Sequence, residues 1–496
     1  MRAYILSIGV MTGNSIDGID LVLTYFDQQG AIRDLCAHHL PFDKAMYTAI
    51  RALQKAVAAA KGHMDQVASS FELQQEAGSI SFDDLQDRYI SQIATAIEQL
   101  IEKAKNDQEL LREFDLDQID VIGLHGQTCD HCPPSRVGGK HYERIYTVQL
   151  GNGQQLANLT GITVIYDFRS DDLMHGGEAA PLAPIHNQHL AATAKKIGRF
   201  PITFCNAGNT GNLTHITTRK GSDDRVTLGW DAGPFNHYPD QLMRTYSNES
   251  CDWNGRYGAK GNVDMVLLKH LFDHAVEMES GENYLVQTPP KSGDPNYYKE
   301  ILMLAEDAIT FEDKLRTCEY FSAYVLFHSL SFTPTELQLP FNFALFGGGW
   351  HNPVTLQHFE GLLAGDWTNN PVLPEHQIVF ETLLKRIQEQ DKKVYVAPSS
   401  AFGFDGTVME ARIFADMAKC RLIGEPFSST ETTGAEQACV AGIIRYPNQQ
   451  PSNATVVFQE WLRFYNTTHH TEDNPSRFDA RWSRASAGWY QKLQEL

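Results

Sequence analysis

Two short turns carry residues suited to holding phosphate. Gly13-Asn14-Ser15 and Gly208-Asn209-Thr210 each join a glycine to small polar residues between apolar, β-rich stretches. A phosphate needs several backbone N–H donors converging from a tight turn where no bulky side chain blocks approach. Two such hairpins facing each other would clamp the β- and γ-phosphates of ATP; Gly-Asn turns are also ordinary hairpin chemistry. Asp17 follows the first turn and is placed to hold Mg²⁺ through water, since Mg²⁺ takes few carboxylates and keeps its waters. Trp230-Asp231-Ala232-Gly233-Pro234 puts a carboxylate at a strand end, where a general base beside a phosphate clamp would sit. The competing reading of Asp231 is a cap on the following helix or turn.

Gly347-Gly348-Gly349 lies between a strand pattern and a helix opening at Pro353, permitting close approach of a flat ligand or simply making a flexible loop. Neither a Gly-x-Gly-x-x-Gly fingerprint nor a Gly-Lys-Ser/Thr phosphate loop is present, so nucleotide phosphates would be bound without a loop lysine. Glu410 sits in a helical pattern, where most glutamates are merely solvated. Cys129-Asp130-His131-Cys132 has metal or redox spacing, with His125 and His141 nearby. It lacks a second ligand pair and runs straight into Pro133-Pro134, so it reads as a loop with two thiols.

These residues must be positioned by an alternation of strands and helices. Apolar or β-rich runs predict strands at 4–11, 19–26, 119–124, 145–150, 162–166, 201–205, 213–217, 225–230, 341–346 and 393–397. Helical spacing marks 43–61, 83–106, 236–247, 261–275, 311–331, 353–364 and 407–420. Interleaved strands and helices are the α/β pattern. The strand–Gly-Asn turn–strand unit occurs in both halves and suggests a duplicated lobe. The aromatic tail with Trp461, Trp482 and Trp489 is expected to pack.

Composition narrows the partners. The 496 residues carry 41 Lys+Arg against 61 Asp+Glu, a net charge of −20, with 42% hydrophobic residues. The length predicts two to four domains, and the hydrophobic content is enough for large cores. The acidity argues against nucleic acid and anionic membranes, which need a basic face. Eight scattered cysteines, no long apolar run and no signal-peptide cleavage pattern predict a cytoplasmic protein.

The ordered set of segments resembles the bacterial anhydro-N-acetylmuramic acid kinases and the related levoglucosan kinases. Met11-Thr12-Gly13-Asn14-Ser15-Ile16-Asp17-Gly18-Ile19-Asp20 is similar to the family's Met-Ser-Gly-Thr-Ser-Leu-Asp-Gly-x-Asp. His125-Gly126-Gln127-Thr128, Asp167-Phe168-Arg169, Gly176-Gly177-Glu178-Ala179-Ala180-Pro181-Leu182 and Asn206-Ala207-Gly208-Asn209 follow in family order. Then come Asp231-Ala232-Gly233-Pro234-Phe235-Asn236, Pro290-Lys291-Ser292, Gly347–Gly349 with Asn352-Pro353, and Met409-Glu410-Ala411.

The resemblance implies a two-lobed sugar kinase, Hsp70 and actin-like fold with duplicated ribonuclease-H-like cores and ATP in the interlobe cleft. Lobe I is expected over 1–170, completed by 425–496, and lobe II over 171–424. The implied reaction uses ATP and Mg²⁺ to phosphorylate the sugar O6 while water attacks C1 and opens the 1,6-anhydro bridge. Asp231 is then the general base, and Glu410 contacts the sugar or water. Gly13, Asn14, Ser15, Asp17, Gly18 and Asp20 form the first phosphate loop, with Asp17 near metal. Asn206, Gly208, Asn209 and Asn212 form the second, and Gly347, Gly348, Gly349 and Asn352 meet adenosine. His125, Arg169, Gly233 and Asn236 are expected at the sugar. The partners are an anhydrosugar and ATP, and the reading allows a homodimer.

Departures from the family pattern bear on substrate. Asp167-Phe168-Arg169-Ser170-Asp171-Asp172 replaces Asp-Phe-Arg-Arg-Arg-Asp, losing two positive charges and gaining a negative one. Arginine is the natural bidentate partner of the lactyl carboxylate, so weak discrimination against a neutral anhydrosugar such as levoglucosan is expected. Phe235 replaces a glycine and is expected to narrow the pocket. A non-catalytic sugar-binding regulator and an Hsp70-like ATPase are the other readings; Asp17, Asp231 and Glu410 speak against the first and the short tail against the second.

Overall fold

The computed structural model describes residues 4–13, 15–75, 78–136, 145–278, 280–289, 291–293, 297–300, 309–389 and 392–449. Asn14, His141 and the three tail tryptophans fall outside these residues. The chain begins as a meander, β1 (Tyr4–Thr12), β2 (Gly18–Asp27) and β3 (Ile32–Pro41). Helices α1 (Lys44–Ala59) and α2 (Phe82–Lys105) follow, the second opened by a capping box of Ser81 and Asp84. Strands β4 (Val121–Cys132), β5 (Tyr146–Leu150) and β6 (Val164–Tyr166) complete the first half. β1 pairs antiparallel with β2 and parallel with β4, and β6 runs parallel beside β4. The order β6-β4-β1-β2-β3, with β5 on β4, is a ribonuclease-H-like sheet.

Helix α3 (Ala183–Lys196) leads into the same plan again. Strands β7 (Ile202–Ala207), β8 (Thr210–Thr218) and β9 (Arg225–Pro234) form a second meander. After helix α4 (Phe311–Ser329), β10 (Asn342–Phe346) joins β7 in parallel. Helix α5 (Pro353–Ala364) and β11 (Tyr395–Pro398) follow, giving the order β9-β8-β7-β10-β11. The duplication read from two short turns is thus a duplication of whole sheets. Helix α6 (Met409–Ile423) and strand β12 (Ile443–Arg445) end the described chain, β12 pairing antiparallel with β6.

Each sheet is covered on both faces, as its continuous apolar strands require. Leu6, Ile8 and Val10 of β1 pack with α1 and α2, while Ile5 faces α6. Gly9 and Gly123 are paired in register, and a Cβ on either would lie 1.8–2.0 Å from a carbonyl oxygen of α6. Helix α6 therefore lies directly on the first sheet, with only Met409 in the second core. Helix α6 is thus the element with which the chain returns to the first sheet.

Helices α3 and α6 meet across a buried polar chain. Asp416 Oδ2 accepts from His186 Nδ1 at 2.8 Å and His189 Nδ1 at 2.6 Å. His186 Nε2 accepts from Arg412 Nε at 3.2 Å, and Arg412 pairs with Asp34 of β3. Burial would raise the Asp416 carboxyl, but His189, Lys419 and the bonds from both histidines outweigh it and hold the carboxyl well below the usual range.

The Cys129-Asp130-His131-Cys132 segment is strand, not loop: Asp130, His131 and Cys132 pair with Val148, Thr147 and Tyr146 of β5, and neither cysteine is in a disulfide. Helices left unassigned by spacing also form, the longer ones being Gly153–Thr160, Ala183–Lys196 and Gln377–Gln388. No helix among the described residues is long and apolar enough to cross a membrane.

Candidate active site

The first turn joins β1 to β2. Ile16 N–H closes it on Gly13 O at 3.1 Å, and Gln127 of β4 donates to the same oxygen at 3.1 Å. Ser15 Oγ donates to Asp17 Oδ1 at 2.6 Å, and both are exposed. Gly18 begins β2 and is buried against Leu40 and His39; Asp20, two residues on, bonds His39 Nδ1 at 2.8 Å.

The second turn joins β7 to β8. Its carbonyls are bound from one segment: Phe235 N–H donates to Asn209 O at 2.9 Å and Asn236 N–H to Gly208 O at 3.1 Å. Across the meander, Asn212 stands opposite Asn206 on one side and Asp231 on the other. Directly opposed residues share a face, so Asn206, Asn212 and Asp231 form one row beside the turn. A register shift between Gly211 and Asn212 re-aims the strand at this point.

The glycine run packs on the same turn. A Cβ on Gly349 would lie 2.3 Å from Asn236 Oδ1 and 3.0 Å from Ala207 Cβ, while one on Gly348 would meet nothing within 4 Å. Gly348 is thus the open face of the run and Gly349 its packed face.

Asp231 is no cap. It lies within β9, and its carboxylate is gripped by the segment 291–293: Gly293 N–H donates to Oδ2 at 2.8 Å and Ser292 Oγ at 3.5 Å. Oδ1 has no donor among the described residues. Burial pushes the carboxyl up to about 6, opposed by Gly293, Lys291, Ser292 and Arg169. Arg169 comes from the turn before the short helix Ser170–Met174; burial lowers its guanidinium to about 10, with Asp231 and Asp172 opposing. It donates to Ala179 O at 2.6 Å and to His125 Nε2 at 3.2 Å. His125 stacks on Phe414 at 4.4 Å, and burial, then Arg169, holds it neutral.

Glu410 opens α6 toward the first turn. Burial among the surrounding walls raises its pKa, and Asp20 and Asp17 add to the rise. Because the side chain still reaches solvent, the crowding of like charge is the more durable cause. These three carboxylates do not converge on one point. Among the described residues, one group has donor atoms close enough to share an ion directly, His189, Cys420 and Glu425, within 4.8 Å of one another. There the Lys419 ammonium already lies 2.9 Å from Glu425 and 3.5 Å from Cys420 Sγ.

Several expected ligands are placed elsewhere. Asn236 Nδ2 donates to Ala207 O at 3.1 Å, so it stitches the second turn instead of facing a sugar. A Cβ on Gly233 would point at Leu285 and Val325, into the core. Asn352 is spent as the cap of α5, accepting from Val354 N–H at 2.9 Å and donating to Glu319 Oε1 at 2.6 Å. Phe235 is buried with its ring edge-on to Trp350 at 4.9 Å, beneath the glycine run, and narrows no pocket. The acids of the altered arginine stretch also turn away. Asp171 accepts from Gly442 N–H at 2.9 Å, and Asp172 is fully buried, accepting from Ala179 N–H and Thr433 Oγ1 at 2.7 Å each. They tie the C-terminal segment to the first half of the chain, Asp171 through Gly442 and Asp172 through Thr433.

Two ribonuclease-H-like sheets, each with a polar turn between its first two strands, define the two-lobed sugar kinase, Hsp70 and actin class. The sequence model of the anhydro-N-acetylmuramic acid kinase family matches residues 5–371 and 378–447. The chain belongs to that family. It is 27% identical over 442 residues to an anhydro-N-acetylmuramic acid kinase of Agrobacterium fabrum, covering 88% of this chain and 98% of the relative. A counterpart from Ruegeria sp. is 32% identical over 327 residues, covering 65% of this chain and 73% of the relative. The solved ligand-bound xylulose kinase of Lactobacillus acidophilus aligns over 93% of this chain and 97% of its own, with 10% identity and a TM-score of 0.32.

Proposed function

We propose that the protein is an ATP-dependent anhydrosugar kinase that converts 1,6-anhydro-N-acetylmuramic acid to N-acetylmuramic acid 6-phosphate. The observation that carries the reading is the Asp231 carboxylate. It is held through Oδ2 by the Gly293 amide, and Asp231 stands in the row of Asn206 and Asn212 beside the second turn. A base fixed through one oxygen can take a proton on the other without reorienting.

In this mechanism Asp231 Oδ1 accepts a proton from water as the water oxygen bonds to sugar C1. The C1–O6 bond breaks, and O6 takes the γ-phosphoryl group as ADP leaves. Backbone N–H groups of Gly13, Ser15 and the turn at 208–210 would hold the phosphates, and the open face at Gly348 would meet adenosine. Phosphoryl transfer asks for positioning and charge stabilisation more than covalent help. The three carboxylates Asp17, Asp20 and Glu410 have their charge only partly answered, by His39 on Asp20. That suits a hydrated Mg²⁺ held through water by Asp17; when bound, it neutralises charge on the phosphates. Glu410 orients the sugar from the α6 end.

The test is turnover with ATP, Mg²⁺ and a panel of anhydro and reducing sugars. Asp231→Asn, which keeps the shape and the acceptor for Gly293, is expected to lose ~10²–10⁴-fold in rate while still binding ATP. A variant keeping more than about a tenth of the wild-type rate would remove Asp231 from this role.

A further inference from the structure

The mechanism above leaves one buried cation beside its base unused. Lys291 is 6% exposed, and its Nζ donates to Tyr284 O at 3.2 Å. The ammonium lies over the Tyr284 ring at 4.5 Å and the Phe332 ring at 4.7 Å, two π-faces that favour a cation. Tyr284 also reaches the other way, its hydroxyl donating to Asp231 O at 2.9 Å. The main chain closes the unit, Asp231 N–H donating to Lys291 O at 3.2 Å and Gly293 N–H to the carboxylate at 2.8 Å. Lysine and aspartate are thus braced on one scaffold, with no ion pair closed between them. A lysine packed only for structure would be expected to pair with a carboxylate or reach water with its ammonium.

We propose that Lys291 is a positioning residue for the reaction, its caged ammonium facing the Asp231 carboxylate and setting the pH at which that base becomes competent. The inference rests on the kinase reading and deepens it. A closed ion pair would consume the oxygen the water needs. A cation held off by Tyr284 acts through space, keeps the carboxylate ionised and leaves Oδ1 open. Burial drives Asp231 up and Lys291 down, to about 6 and about 7, and each restrains the other. The other charged or titratable groups facing this pair are few. Arg169 acts on Asp231 from the first lobe, and Tyr284 stays protonated because burial holds its hydroxyl far above the ordinary value. His328 of α4 lies near Lys291 and is held neutral, at about 3, by burial and by neighbouring His376 and Lys291.

The experiment compares Lys291→Met and Lys291→Arg with the wild type in the pH dependence of kcat/KM, using ATP-Mg and 1,6-anhydro-N-acetylmuramic acid. Lys291→Met is expected to move the acidic limb upward by roughly one unit, so its deficit at pH 6 is several-fold larger than at pH 8.5. Lys291→Arg should return the limb toward the wild-type position. A parallel ¹³C titration of carboxyl-labelled aspartates, with the Asp231 resonance identified by its loss in Asp231→Asn, should show the same rise without any turnover. An unmoved limb and an unmoved Asp231 titration in folded Lys291→Met overturn the proposal while leaving the kinase reading intact. A wild type that turns over no anhydrosugar sinks that reading, and the carboxyl titration then still decides whether Lys291 governs Asp231.

Discussion

The Arg169 guanidinium is committed before any sugar arrives. It donates to Ala179 O and His125 Nε2, and its charge is answered by Asp231 and Asp172. Losing it would leave a buried neutral histidine and a buried carboxylate without their common partner, whichever sugar is bound. Asp171 and Asp172, meanwhile, accept from Gly442, Ala179 and Thr433. The loss of two arginines from this stretch still stands, so poor discrimination against neutral anhydrosugars remains the expectation. Arg169→Ala should lower kcat/KM for anhydro-N-acetylmuramic acid and for levoglucosan alike, by ~10–100-fold, the usual worth of a charged hydrogen bond. Their ratio should move by less than about threefold. A selective loss with the acid alone would place Arg169 on the lactyl group and refute the shared role.

Among the elements, the glycine run between β10 and α5 separates packing from binding within two residues. A methyl at Gly349 collides with Asn236 Oδ1 and the Phe235 ring, whereas one at Gly348 enters open space. Gly349→Ala should cost ~1–3 kcal/mol of stability, as overpacking does, and weaken ATP binding because the second turn shifts with it. Gly348→Ala should leave the melting temperature unchanged and raise KM for ATP alone. Equal melting temperatures for the two variants would show that the run does not brace the turn.

The same region shows what was legible in advance. Apolar runs and a Gly-Asn turn mark β7 and β8, because strand periodicity and turn chemistry are local. The reading of Asp231 as a strand-end carboxylate was likewise local, and the structure places it within β9. The roles of Asn236, Asn352 and Phe235 were not legible, since each is fixed by partners from other segments of the chain. Helix Ala183–Lys196 was missed because its weakly amphipathic surface carries His186 and Asn187 inward, which only the facing Asp416 and Thr214 make sense of. Lys291 was visible only as part of a family motif; no spacing predicts a lysine caged by Tyr284 and Phe332.

At the scale of the molecule, the two sheets communicate through few elements. Asp17, Asp20 and Arg169 belong to the first lobe, Asp231 and the glycine run to the second, and Glu410 to the helix that returns between them. The contact of α3 with α6 carries a polar chain with a buried middle, running from Asp34 through Arg412, His186 and Asp416 to His189. Such a chain, held by directional bonds along two helices, permits rotation about a defined line better than a broad apolar seam does. On the proposed mechanism the clamp on the phosphates needs both turns, and Arg169, which follows the first sheet in the chain, acts on Asp231 of the second. ATP and sugar should therefore each favour the closed arrangement, by as much as they bind it better than the open one. Small-angle scattering with a non-hydrolysable ATP analogue and anhydrosugar together should show a smaller radius of gyration than with neither, and an intermediate one with either alone. An unchanged radius in protein shown calorimetrically to hold both ligands would mean that the two turns are already at their working separation, and that the α3–α6 chain is a rigid strut instead of a hinge.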